Sequence, residues 1–199
     1  MPSNERAPEG SVPGVEPGRT RPALPGPRAA SLLIAEIRGL PRLTPWQMTR
    51  FVERVLPLVA LEIQTHRAFF ADWWGDGFVA AFDDPLAAAR CALGVRDRLD
   101  RHARMEAQPS GFQPTLFLDQ ATIVLDPDAP VPAEGAPARL TLAIRPRPSA
   151  IPRQVWATDA FIALFPEGEP ELDWEDTDGS PQDQGGPRLY RLRRAGDPT

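Results

Sequence analysis

Residues Phe69 to Phe82 run Phe-Phe-Ala-Asp-Trp-Trp-Gly-Asp-Gly-Phe-Val-Ala-Ala-Phe, and no other stretch constrains the fold as much. Asp76-Gly77 sits between two β-rich runs. That dipeptide is the strongest short-range hairpin signal, because Gly77 can take a positive φ at no steric cost. Both arms are aromatic and apolar, so the hairpin is expected to be largely buried. A carboxylate is then held at a tight turn beside a core. Asp76 has two readings. It shapes the turn, or it presents a fixed oxygen to an ion such as Mg²⁺.

Composition removes several chemistries. All 22 basic residues are arginine. A Walker-type phosphate loop and a Schiff-base mechanism both need a lysine amine and are excluded. His66, His102 and Cys91 are too few for a structural zinc site. The single cysteine cannot form an internal disulfide and falls in a helical pattern, where it is expected to pack as a small hydrophobe. Net charge is −5, which argues against general nucleic-acid binding. No run of apolar residues is long enough to cross a membrane as a helix. No secretory leader is visible, so a cytoplasmic location and no membrane partner are expected.

Residues 1–28 hold seven prolines, four glycines and no aromatic residue. Such a segment buries too little apolar surface to offset its ordering entropy, so it is expected to be a disordered, solvated arm. The ordered domain is expected over 29–194, with a short tail at 195–199. Ser31–Ile37 is an apolar run broken by one acid and reads as a buried strand. Thr44-Pro45 gives a helix cap followed by proline at the first helical position. Met48, Phe51, Val52, Val55, Val59 and Ile63 form an apolar stripe on that helix, and Pro57 is expected to kink it.

After the hairpin, Asp84-Pro85 opens a helix to about Arg104. Its stripe is Ala88, Ala92, Val95 and Leu99, and its arginines are expected on solvated faces. Thr115–Leu118 and Ala121–Leu125 read as strands, or as one long bulged strand. Residues 126–138 form a loop rich in proline, alanine and glycine. Gln154–Ala157 reads as a strand and Asp159–Phe165 as a helix capped by Thr158. Residues 167–183 carry eight acids and no base, and are expected to be a solvated loop. Leu189–Leu192 reads as the last strand.

This element order, together with the sequence blocks that follow, resembles the class III adenylate/guanylate (nucleotidyl) cyclase catalytic domain over about residues 30–194. Ala35-Glu36-Ile37-Arg38-Gly39-Leu40 stands where that family reads roughly Ala-Asp-Ile-Arg-Gly-Phe. Asp72 to Phe82 stands where it reads Lys-x-x-Gly-Asp-Gly-x-x-Ala-x-Phe. Asp84-Pro85-Leu86-Ala87-Ala88-Ala89 matches its alanine-rich helix start. Further on, the family has Asn-x-x-x-Arg, where Thr141 to Arg145 falls here, and a strand entry like Pro152 to Thr158. Arg188 to Leu192 looks like its terminal strand. The resemblance implies an α/β sandwich, an α+β fold with a ferredoxin-like ββαββ core.

The resemblance also implies a chemistry. Two Mg²⁺ or Mn²⁺ ions held by two carboxylates activate a ribose hydroxyl and steady a triphosphate. By position, Glu36 and Asp76 are the metal ligands, and Asp72 and Glu134 stand where the base is read. Thr141 and Arg145 stand where a second subunit steadies the ribose and the transition state. The departures are specific. Glu36 adds a methylene to the metal ligand, and Asp72 reverses the charge of a lysine. Thr141 replaces asparagine, while Pro146, Pro148 and Pro152 interrupt the helix that would carry Arg145. Outside the resemblance, Arg145 is an arginine in a proline-rich run, and His66 is a cation at a helix end.

The expectation is therefore a degenerate, non-catalytic dimerisation or regulatory module. It would work as a homodimer or with a heterologous signalling partner, and would bind nucleotide or metal weakly. The alternative is a divergent adenylate/guanylate cyclase using the same residues. A second alternative is a structural domain with no ligand.

Overall fold

The computed structural model describes residues 27–74, 76–105, 113–123, 153–176 and 188–197. The first strand, β1 (Arg28–Arg38), begins one residue before the expected boundary. It lies near the middle of a seven-stranded sheet of order β2-β3-β1-β4-β5-β7-β6. The other strands are β2 (Phe70–Trp74), β3 (Gly77–Phe82), β4 (Gln113–Ile123), β5 (Val155–Thr158), β6 (Leu172–Asp176) and β7 (Leu189–Arg194). The β4–β5 pair is parallel, and the other pairs are antiparallel. The result is the expected mixed α+β architecture.

Burial explains why β1 reads as a nearly unbroken apolar run. Leu33, Ala35 and Ile37 face one core cluster, while Ala30, Leu32 and Ile34 face another. A strand covered on both faces has no solvated side to populate with polar residues. The buried apolar residues of the described helices all belong to the first cluster, so these helices share one face of the sheet. β4 pairs with β1 in one uninterrupted register from Arg28↔Ile123 to Arg38↔Gln113. It is one straight strand, and no bulge interrupts this pairing.

The chain leaves β1 through Gly39, whose φ of 93° lies in the left-handed region that a Cβ disfavours. A short 3₁₀ turn (Leu40–Arg42) leads to α1 (Pro45–Arg50). The Thr44 hydroxyl accepts from Gln47 N, and Gln47 Oε1 accepts from Thr44 N at 2.9 Å, a reciprocal capping box. The helix is irregular just before Pro57. Phe51–Val55 forms a π-helical turn, and Leu56 N–H donates to Phe51 O. Pro57 then falls in the first turn of α2 (Leu56–Thr65), where its missing N–H is not needed.

That π turn also corrects the apolar stripe. Phe51, Val55, Val59 and Ile63 are all buried. A four-residue spacing drifts about 40° per step on a helix of 3.6 residues per turn, and the wider π turn absorbs part of the drift. Val52 falls outside the buried line and is 49% exposed.

Three further expectations change. Gly77 is not among the residues with positive φ. It lies in β3 paired with Trp74, so it belongs to the ladder and not to the turn. The helix after β5 ends early, with α4 spanning only Asp159–Ile162. The acidic stretch expected as a loop contains edge strand β6. Leu172 and Trp174 alternate with acids there, and the acids pair with β7. Asp173 binds Arg193 at 2.8 Å, Glu175 binds Arg191, and Asp176 binds Arg188. Charged side chains on an edge strand also discourage pairing with another chain.

The long helix α3 (Pro85–Met105) matches its expected span, and its stripe Ala88, Ala92, Val95 and Leu99 is buried against the sheet. Its arginines are not merely solvated. Arg90 holds Glu171 through bonds of 2.9 and 2.5 Å, Arg96 reaches Asp197, and Arg98 reaches Glu62. The Arg90 hydrogen bonds keep the Glu171 carboxyl below its usual range.

Cys91 is 0% exposed, and desolvation, with Glu62 nearby, pushes its thiol well above the ordinary range. A buried neutral thiol is a poor nucleophile. Native protein is therefore expected to resist a disulfide-forming thiol reagent at mildly alkaline pH, and to react stoichiometrically once unfolded in denaturant. Rapid labelling under native conditions would contradict this packing.

Candidate functional site

The candidate site lies where β1 ends and the β2–β3 hairpin turns. Glu36 is paired with Gly77 on one side and with Thr115 on the other. One step further, Ile37 N–H donates to the Asp76 carbonyl at 2.7 Å. This bond fixes the hairpin tip against β1. It thereby places Asp76 beside Glu36 at the same end of neighbouring strands. Glu36 keeps 29% of its side chain exposed, and Arg38 Nε lies 3.9 Å from it. A partly exposed carboxylate at that separation is available to another positive charge.

Asp72 lies two strands from Glu36, on β2 opposite Val79. Strand alternation puts it on the same sheet face as Glu36. Its carboxylate accepts from Trp73 N–H at 2.9 Å, a local bond that leaves other lone pairs free. Glu134, Thr141 and Arg145 fall outside the described residues. His66 ends α2 as expected, with Nε2 3.4 Å from Glu62 on the same helix. The structure thus brings together Glu36, Asp76 and, further along the same face, Asp72.

Among the described residues, no group of three or more metal-ligating side chains is present. Two carboxylates at one strand end are a different donor set. Mg²⁺ is commonly held by one or two carboxylates with water and substrate phosphate completing the shell. Glu36 and Asp76 fit an ion shared with a phosphate ligand, and do not fit a self-sufficient protein cage. On the helix side of the same strand end lies an apolar cavity of about 260 Å³. Ile37, Leu40, Met48, Phe51, Trp73 and Gly77 contribute to its lining.

Thr115, Gln154 and Arg193 lie far apart in the chain, and the strand registers align them with Glu36. No local spacing carries that signal.

No family model and no curated protein matches this chain. Solved structures do. The guanylate cyclase domain of RhGC from Catenaria anguillulae, in complex with GTP, superposes with a TM-score of 0.63 at 9% identity, covering 83% of this chain and 96% of that one. A bacterial light-regulated adenylyl cyclase gives 0.61 at 13% identity over 83% and 90% of the two chains. The adenylyl cyclase CyaB from P. aeruginosa gives 0.56 at 14% identity over 87% and 97%. These proteins span both base specificities at low identity, so the common ground is architecture. With its strand order, its helical layer and the hairpin against β1, the chain has the fold of the class III nucleotidyl cyclase catalytic domain.

Proposed function

We propose that this chain is a regulatory module of the cyclase fold that holds a nucleoside triphosphate with Mg²⁺ or Mn²⁺ at Glu36 and Asp76 but does not cyclise it. The observation that supports this reading is the hairpin tip bound to β1, with Asp76 beside Glu36 at one strand end. Two adjacent carboxylates repel each other and favour a divalent cation between them. The glutamate at position 36 and the aspartate at position 72 weaken catalysis in this reading without removing the charge that attracts a metal. Action through a second copy or a signalling partner is part of the proposal. A guanylyl cyclase domain from Blastocladiella emersonii with the same fold (TM-score 0.59, 10% identity) is described as dimeric. The described helices include none long and apolar enough to cross a membrane.

The second reading is a divergent cyclase, favoured by the GTP complex of the Catenaria domain. A thermal-shift titration with GTP and ATP, each with Mn²⁺, tests the first. A ligand specific for the native state at about 100 times its Kd stabilises by roughly 2.7 kcal/mol. For a chain of this size that is a rise of roughly 5–10 °C. The rise should vanish in Asp76→Ala. Unchanged melting at millimolar nucleotide and metal would defeat the proposal, and cyclic product would promote the second reading.

A further inference from the structure

Three buried polar atoms lie in one line across the sheet without a hydrogen-bond partner: Thr115 Oγ1, Gln154 Oε1 and Arg193 Nη1. The registers align them. Thr115 pairs with Glu36. Leu116 pairs with Val155, and Leu116 N–H donates to Gln154 O, so Gln154 lies beside Thr115. Val155 pairs with Leu192, which sets Gln154 beside Arg193, and Arg193 pairs with Asp173. Alternation puts the row on the sheet face of Phe117 and Trp156, which is also the face of Glu36. With strands about 4.8 Å apart, the backbone distance from Glu36 to Arg193 is about 14 Å.

Most buried polar groups find partners, and each exception calls for a physical reason. Chance does not readily collect three on one row. The neighbours do not satisfy one another, although Gln154 offers a carbonyl beside a free guanidinium N–H. Arg193 spends Nε and Nη2 on Asp173 at 2.9 and 2.8 Å, which leaves Nη1 as a charged donor without an acceptor. Thr115 offers a hydroxyl, and the Gln154 amide, turned over, offers an NH₂. A guanidinium N–H without an acceptor, beside a hydroxyl and an amide, suits an anionic oxygen more than water. Hydrogen bonds to such oxygens are the stronger, charge-assisted kind. Shielding from solvent strengthens them further.

We infer that Thr115, Gln154 and Arg193 form an anion-binding row that takes the polyphosphate oxygens of a ligand whose metal sits at Glu36 and Asp76. The row supplies hydrogen-bond donors beyond the metal end, where Arg38 Nε lies 3.9 Å from Glu36. This inference rests on the nucleotide reading above and names which residues hold the phosphate chain.

Calorimetric titration of the full chain with GTP·Mn²⁺ and with inorganic triphosphate·Mn²⁺ tests it. The variants are Arg193→Gln, Arg193→Lys, Thr115→Val and Asp76→Ala. Loss of one charge-assisted contact typically weakens binding about tenfold or more. Arg193→Gln is expected to lose about tenfold for both ligands and Thr115→Val a smaller factor. Arg193→Lys should recover part of the loss, because it restores charge without the forked geometry. Similar losses for inorganic triphosphate and GTP would assign the contact to phosphate. Wild-type affinity in both Arg193→Gln and Thr115→Val, with binding lost in Asp76→Ala, would overturn the row and leave the metal site standing. If wild-type protein binds neither ligand, the nucleotide reading and the row fall together. Should Arg193→Gln fail to fold, Thr115→Val decides the matter alone.

Discussion

Arg98→Met is expected to lower stability by roughly 2–4 kcal/mol, the cost of leaving a buried carboxylate without its partner. In a chain of this length that is a loss of roughly 5–15 °C in melting temperature. The carboxylate is Glu62 on α2, 7% exposed. Arg98 of α3 bonds it, and His66 approaches at 3.4 Å. Removing Glu62 instead should cost less. The Arg98 side chain is 32% exposed, so its stranded charge can still reach water.

Gly94 gives a sharper test of the same contact. A Cβ placed on it would meet Glu62 Oε2 at 2.5 Å and Cδ at 2.8 Å. The carboxylate is anchored by Arg98 and has little freedom to yield. Gly94→Ala should therefore destabilise, although alanine is favoured over glycine in a helix by about 1 kcal/mol. In a Glu62→Ala background the obstruction is gone, and Gly94→Ala should stabilise by up to about 1 kcal/mol. Urea unfolding of the four proteins closes the double-mutant cycle. The same sign for Gly94→Ala in both backgrounds would show that the glycine does not serve to seat Glu62.

This clamp illustrates what the sequence could and could not show. The stripe on α3 and its span were legible, because period 3.6 is a local property. The role of Gly94 was not, because it depends on a residue of another helix. Strand β6 shows the opposite failure. Leu172 and Trp174 alternate with acids, which is a local period-2 signal, but the charge run obscured it. The acids are tolerated because β7 presents Arg191 and Arg193 directly across. The hairpin around Asp76 was legible in position, yet Gly77, expected in the turn, already pairs with Trp74 in the ladder. For the candidate site, the family resemblance pointed to Glu36 and Asp76, and the fold sets their backbones at one strand end. The alignment of Thr115 and Arg193 with Glu36 has no local signal, since sheet register is set by long-range pairing that spacing does not encode.

Purified wild-type protein is expected to form no cyclic AMP or cyclic GMP from ATP or GTP with Mn²⁺, and Glu36→Asp alone should not create that activity. In the proposed function, binding and turnover separate for a geometric reason. A metal between two carboxylates tolerates an extra methylene, because the ion can shift with its ligands. An in-line displacement does not, since productive geometry is held within fractions of an ångström. At position 72 an acid, with its carboxylate bonded to Trp73 N–H, stands where the resemblance expects a lysine. Threonine at 141 is shorter than the asparagine expected there, and prolines surround Arg145. Loss of one positioned donor to a transition-state charge costs on the order of 10²–10³ in rate, and independent losses multiply. Reverting Glu36 corrects one term of several. The assay therefore needs two readouts on the same sample. Ligand-induced stabilisation should be present in wild type and in Glu36→Asp, while cyclic product is absent from both. Cyclic nucleotide made by the wild-type chain and lost in Asp76→Ala would make the module an enzyme that depends on the strand-end carboxylate.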